Sequence, residues 1–326
     1  MSVAVVVVTY NRKELLKECI DALLAQTIKP DKVIVINNAS TDGTELLFQN
    51  GGGFFQDVQN GIIQLITMPK NLGGAGGFYE GIKYVDESYA NEFDWIWIMD
   101  DDTIPTTNAL EELINSANLL TQKHGNNKIS YLASSVYGVN NEPMNVPGLW
   151  TEPTKNGYSD WYMFLDESMV RIRTATFVSI MINASAVKKL GYPIKEFFLW
   201  ADDTEYTNRL TQFYGEAFLC GKSKVVHKRV NAKAISIEFE ENPNRIKMFN
   251  LYYRNILTNY RMYFGRSKSF KTMVSFEIKG FRMLMTPKIK YRAKKFLALQ
   301  RGILKYFGDY KTLKNIRDKN IKTCEL

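Results

Sequence analysis

Asp100, Asp101 and Asp102 stand in a row at the end of the apolar run Trp95-Ile96-Trp97-Ile98-Met99. Three adjacent carboxylates repel one another and are costly to gather in a cleft unless a cation holds them. Mg²⁺ and Mn²⁺ take carboxylate oxygens together with substrate phosphates. The plainer alternative is a solvated acidic loop, since Asp-Thr-Ile-Pro is good helix-start chemistry. A second acidic group, Asp202-Asp203-Thr204-Glu205, follows the aromatic stretch ending in Trp200. A carboxylate crowded by aromatics is partly desolvated, which raises its pKa and makes it a better base. Carboxylates in a helix's first turn also favour its dipole, so capping competes with that reading. His227 closes the apolar pair Val225-Val226, as a satisfied core residue or as a nitrogen ligand beside carboxylates. The other histidine, His124, sits in a polar stretch.

Glycines cluster in Asn71-Leu72-Gly73-Gly74-Ala75-Gly76-Gly77-Phe78. Their pairing departs from G-x-G-x-x-G, and no Gly-Lys-Ser/Thr follows, so neither a dinucleotide fingerprint nor a P-loop is present. Two readings stand: a helix start at which Gly76 and Gly77 let backbone amides approach an anion or sugar, or close packing of that helix on a sheet.

The elements that must position these groups follow from periodicity. Residues 3–8 and 93–99 read as buried strands, because apolar residues fill both faces. Further strands are expected at 32–36 and 62–67, with helices at 13–26, from about 44, and at 75–88. This βαβα order predicts an α/β fold with a mostly parallel sheet and helices on both faces. Ligands of such sheets bind beyond the carboxyl ends of the strands, where the three aspartates lie. Residues 137–162 read as irregular, lining a cleft or carrying a short hairpin. One or two strands are expected in 170–183, a short helix at 186–190, and a strand ending at 225–226. From residue 244 the pattern is helical throughout.

The chain of 326 residues can bury a large core, and its 45% hydrophobic content suits a globular protein. Three scattered cysteines, Cys19, Cys220 and Cys324, predict no disulfide framework and a reducing compartment. No run of 18 apolar residues predicts a spanning helix, and residues 3–8 are too short for a signal-peptide core. A cytoplasmic address is expected. The net charge of +8 is uneven: residues 265–326 hold 17 basic and 4 acidic side chains, a net of +13. That asymmetry points the tail toward an anionic surface, nucleic acid or membrane lipid.

In order, Thr9-Tyr10-Asn11-Arg12, Asn38-Ala39-Ser40-Thr41-Asp42-Gly43, Asp100-Asp101-Asp102, Asp202-Asp203-x-Glu205 and His227 resemble the inverting family-2 glycosyltransferases of GT-A fold. The likeness covers about residues 1–230. The Gly-rich run and the Trp-Ala-Asp-Asp-Thr-Glu-Tyr block look like the branch holding bacterial galactofuranosyltransferases, with rhamnosyltransferases as relatives. The resemblance implies a GT-A catalytic domain over 1–240 and a basic, aromatic-rich helical region over 241–326. It implies nucleotide contacts from Thr9, Tyr10, Arg12, Asn38, Asp100 and Asp101; many members carry Asp where Asn38 stands. It implies Mn²⁺ or Mg²⁺ held by Asp102 and His227 with Asp100 nearby, and Asp203 as catalytic base. Trp200, Asp202, Glu205, Gly76 and Gly77 would meet donor or acceptor sugar.

The implied activity is transfer of a sugar, best matched by galactofuranose from UDP-galactofuranose, to a glycan hydroxyl in bacterial cell-surface polysaccharide synthesis. A lipid-linked acceptor and peripheral membrane contact through 244–326 would accompany it. A dTDP-rhamnose or UDP-hexose transferase is the alternative within the class. Outside it stand a nucleotidyltransferase, and a nucleic-acid-binding protein that uses the tail and keeps its acidic clusters as structure.

Overall fold

The computed structural model describes residues 1–124, 128–229 and 235–321. Cys324 lies outside them. The chain opens with β1 (Val3–Thr9), α1 (Lys13–Leu24), β2 (Lys32–Asn37), α2 (Phe55–Gln59), β3 (Ile63–Thr67), α3 (Gly73–Ser88) and β4 (Trp95–Asp100). There follow β5 (Thr103–Pro105), α4 (Ala109–His124), β6 (Ile129–Tyr137), β7 (Gly148–Leu149), β8 (Met169–Thr174), β9 (Ile180–Asn183), α5 (Ala184–Leu190), α6 (Asp202–Phe213) and β10 (Glu216–His227). Two long helices close it, α7 (Pro243–Met285) and α8 (Arg292–Asn320).

The strands form one sheet ordered β3-β2-β1-β4-β9-β6-β10-β8-β7, with β5 paired to β10. β1–β4, β6, β7 and β10 run one way, and β5, β8 and β9 the other. This is the mixed α/β, mostly parallel sheet that the βαβα pattern predicts. Alternate residues of β1 serve opposite layers, as the two-residue period requires. Val3, Val5 and Val7 pack with α1 and α4, whereas Ala4, Val6 and Val8 pack with Phe78 and Ile82 of α3.

Two expectations are corrected. The helix expected from residue 44 is a single 3₁₀ turn, Thr44–Leu47, and α2 follows separately. Asp-Thr-Ile-Pro starts no helix: Thr103–Pro105 is a strand, because β10 offers its edge to residues 103–105.

α7 is broken at Gly265, whose φ of 85° lies outside helical space. Residues 243–264 and 266–285 fold back on each other there, bringing Tyr253 to 4.8 Å from Phe276. The Ser269 hydroxyl donates to the Leu257 carbonyl at 3.0 Å. α8 completes a three-helix unit around Phe249, Tyr253, Leu257, Met283, Leu299 and Tyr306. Cys19 and Cys220 are buried and unpaired.

Candidate active site

β4 lies beside β1 with Asp100 opposite Val8, so the aspartates emerge next to Thr9 and the loop carrying Arg12. The short β5 then runs antiparallel to the end of β10, in a register that sets Thr103 opposite His227. Lys228 N–H donates to the Asp102 carbonyl at 2.8 Å. A histidine 125 positions away in sequence thereby arrives beside the acidic triplet.

Ligand atoms of Asp100, Asp102 and His227 lie within 4.8 Å of one another. His227 Nδ1 is 2.9 Å from Asn145 Oδ1, an acceptor that holds the ring with Nε2 turned toward the acidic triplet. Nε2 lies 3.1 Å from Asp102 Oδ1. Oδ1 is buried and has no hydrogen-bond partner among the described residues. An imidazole nitrogen and a buried carboxylate oxygen this close, with Asp100 beside them, suit a shared cation. Burial, then the charge of Asp102, pushes Asp100 up to about 8. A divalent ion would relieve both, so the donor set fits a hard or borderline metal.

Asp101 faces the other way. It accepts from the Thr9 hydroxyl at 2.7 Å and from Arg12 at 3.0 Å, and Arg12 also reaches Asp102 at 2.7 Å. Burial raises Asp101 to about 6 even so. Thr9 is buried and Tyr10 exposed. Thr9 and Asp101 therefore hold the rim, and Arg12 and Tyr10 carry its open face. Asn38, expected to contact the nucleotide, is taken up by the fold. It is 2% exposed, and its amide accepts from Leu72 N–H at 2.8 Å and donates to the Gly73 carbonyl at 3.0 Å. It ties β2 to the start of α3.

The second acidic group begins α6. Asp203 is partly exposed, and its Oδ1 accepts from Thr204 N–H at 2.6 Å. Burial holds Asp203 at about 6; burial, then its neighbour Asp203, holds Asp202 at about 7. Glu205 is corrected: it is fully buried, paired to Arg209 at 2.6 Å, and accepts from the Tyr263 hydroxyl at 2.6 Å. Trp200 is partly buried and packs on Phe249 at 4.8 Å with Arg245 5.7 Å from its ring centre, so it joins this loop to α7. Gly76 and Gly77 are also corrected. Both are buried, and a Cβ on Gly77 would stand 2.4 Å from Val8 Cγ1, one on Gly76 2.5 Å from Leu72 Cβ. Gly77 lets α3 lie close on β1, and Gly76 makes room for the Leu72 side chain at the start of the helix. His124 ends α4.

Three contributors escaped the sequence reading. Asn145, which orients His227, sits in the irregular stretch 137–162, expected to line a cleft or carry a hairpin but with no residue singled out. Arg229 follows His227 by two positions and feels the charges of Asp102 and Asp100 as well as of Arg245 and Arg12. Asn255 of α7 touches the loop before Asp202. Only Arg229 carried a signal, as a cation next to a singled-out histidine.

Comparison with known proteins agrees with this architecture. Residues 4–121 match the family described as Glycosyl transferase family 2. Galactofuranosyltransferase GlfT1 of Mycolicibacterium smegmatis is 28% identical over 213 residues, 64% of this chain and 65% of that one. Galactofuranosyltransferase GlfT1 of Mycobacterium tuberculosis H37Rv is 36% identical over 101 residues, 31% of this chain and 30% of its own length. The matches thus span less than two thirds of these relatives. In fold, a crystal structure of GalNAc-T7 with UDP, GalNAc and Mn²⁺ superposes with a TM-score of 0.58 at 13% identity, covering 96% of this chain and 57% of that one.

Proposed function

We propose, for a chain whose residues 4–121 match the Glycosyl transferase family 2 model, a metal-assisted, inverting transfer of a sugar from a nucleoside diphosphate donor to a hydroxyl of a glycan acceptor. The observation that carries this reading is the convergence of Asp102 Oδ1, His227 Nε2 and Asp100 at the carboxyl end of β4. Mn²⁺ or Mg²⁺ bound there would supply Lewis-acid neutralisation of the departing diphosphate. Arg12 and Arg229 add fixed positive charge beside it, and Asp101 is held in place by Thr9 and Arg12. Asp203 takes the proton of the acceptor hydroxyl as that oxygen bonds to the anomeric carbon. The bond from that carbon to the diphosphate oxygen breaks, and its electron pair leaves with the nucleoside diphosphate. One displacement inverts the carbon. UDP-galactofuranose is the donor proposed, supported by the names of the relatives in both mycobacterial species.

The test is calorimetric titration of UDP with MnCl₂ and with EDTA, for wild type, Asp102→Asn and His227→Ala. UDP binding that needs Mn²⁺ and weakens in both variants supports the reading. Binding indifferent to the ion and to both variants overturns the assigned metal site.

Peripheral contact with anionic lipid is part of the proposal. No described helix is long and apolar enough to cross a membrane. Phe270, Val274, Ile278, Phe281 and Met285 are exposed along residues 266–285. At 100° per residue they fall within an arc of about 80°, with Lys271 and Arg282 along one edge. An apolar stripe with cations along one edge suits a lipid interface.

A further inference from the structure

Every backbone carbonyl from Glu196 to Ala201 has a partner, and most of those partners come from one helix. Arg254 donates to the Glu196 carbonyl at 2.8 Å. The Asn255 amide faces three carbonyls, those of Phe197 at 3.1 Å, Leu199 at 3.2 Å and Trp200 at 2.8 Å. Asn259 donates to the Ala201 carbonyl at 2.9 Å. The Phe198 carbonyl is taken from the opposite side by Ala75 N–H at 3.2 Å, over Gly73, where a Cβ would come within 2.1 Å of that oxygen. Arg254 Nε also donates to Asn255 Oδ1 at 2.8 Å, which fixes the amide with its nitrogen toward the loop. Asp309 of α8 holds Arg254 in turn at 3.0 Å.

The loop so gripped is in a backbone state that it would not keep alone. Phe198 has φ 63° and ψ −56°, and Leu199 N–H donates to the Phe197 carbonyl at 2.7 Å, a γ-turn of the rare positive-φ kind. Trp200 and Ala201 follow at φ 66° and 62°. Three residues with side chains in left-handed space within four positions persist only where the surroundings over-determine them. Asp202 and Asp203 come next in the chain, so the direction of Asp203 is set by this turn.

We propose that residues 243–264 are a positioning element of the reaction: Asn255, supported by Arg254 and Asn259, holds the strained turn that aims Asp203. The proposal rests on the reading of Asp203 as the base. It gives the C-terminal helices a part in turnover that is separate from any surface they bind. Among the described residues the hydrogen bonds of Asn255 and Asn259 go to the loop before Asp202 and to Arg254, away from Asp102 and His227, so their loss should leave nucleotide binding intact.

The full chain is compared as wild type, Asn255→Ala, Asn259→Ala and Asp203→Asn. Four readouts are taken: thermal unfolding, UDP affinity in MnCl₂, amide hydrogen exchange, and turnover of the sugar nucleotide that wild type consumes. Folded Asn255→Ala is expected to keep UDP affinity within about twofold and to lose at least tenfold in turnover. Its exchange over 197–203 should rise while that of the strands does not, and the acid limb of its pH profile should move. Asn259→Ala should show a weaker form of the same pattern, and it decides the matter by the same criteria if Asn255→Ala does not fold. Wild-type turnover with unchanged exchange, or UDP affinity and turnover falling together, overturns the proposal. Wild-type turnover in Asp203→Asn overturns the base reading instead, whatever the exchange data show for the turn.

Discussion

At the scale of residues, the account assigns separate tasks to carboxylates that look alike in sequence. Asp102 and Asp203 are both largely enclosed, but one faces an imidazole and the other begins a helix beside a strained turn. If Asp203 is the base, Asp203→Asn is expected to lose about 10²- to 10⁴-fold in turnover with nucleotide affinity unchanged. With Asp203 raised to about 6 and Asp202 to about 7 by burial, turnover should rise as pH climbs through 6 to 7. The linkage has the opposite sign for stability. These carboxyls bind protons more tightly folded than unfolded, so their contribution is full below their unfolded value of about 3.9 and declines as pH rises to 6–7. Urea titrations at pH 4 and 7.5 on wild type and the double variant Asp202→Asn/Asp203→Asn check this. The decline attributable to the pair should vanish in the variant. Asn145→Ala frees the His227 ring and is expected to weaken Mn²⁺ binding about 10- to 100-fold, read by direct Mn²⁺ titration.

At the scale of elements, the buried pair Glu205–Arg209 fastens α6 to α7 through the Tyr263 hydroxyl. Removing one partner strands the other charge in the interior. Arg209→Ala should cost about 3–5 kcal/mol of stability in denaturant unfolding. Gly77→Ala forces a Cβ to 2.4 Å from Val8 and should cost about 1–3 kcal/mol by pushing α3 off β1. Much at this scale was legible beforehand. Strands such as Val3–Thr9 and Trp95–Asp100 show as apolar runs, and the acidic triplet sits where such strands end. The i, i+4 spacing of Glu205 and Arg209 was also open to reading and would have marked Glu205 as structural. β5 was not legible, since three residues with helix-start chemistry become a strand only through an edge more than a hundred positions away. Asn145 and Asn255 were hidden for the same reason: polar residues of ordinary type, given tasks by tertiary contact alone.

At the scale of the molecule, the long C-terminal helices present two faces. Residues 243–264 grip the loop before Asp203, and residues 266–285 turn an apolar stripe outward. Each Lys or Arg near an anionic bilayer contributes about 1 kcal/mol. The protein is therefore expected to sediment with phosphatidylserine-containing vesicles at low salt and to release as salt rises. A Phe270→Ala/Phe281→Ala variant should release at lower salt, with turnover on a soluble acceptor unchanged. Absence of sedimentation at low salt would remove lipid contact and leave the transfer reaction untouched.

The central claim is a metal-assisted sugar transfer with Asp203 as base. It is tested most directly by nucleoside diphosphate release from a panel of UDP- and dTDP-sugars that includes UDP-galactofuranose. Acceptor glycans are supplied, Mn²⁺, Mg²⁺ or EDTA is added, and wild type is compared with Asp203→Asn. The account predicts release from one donor that EDTA abolishes and Asp203→Asn lacks. Release that persists in EDTA, or equal release from Asp203→Asn, would contradict it.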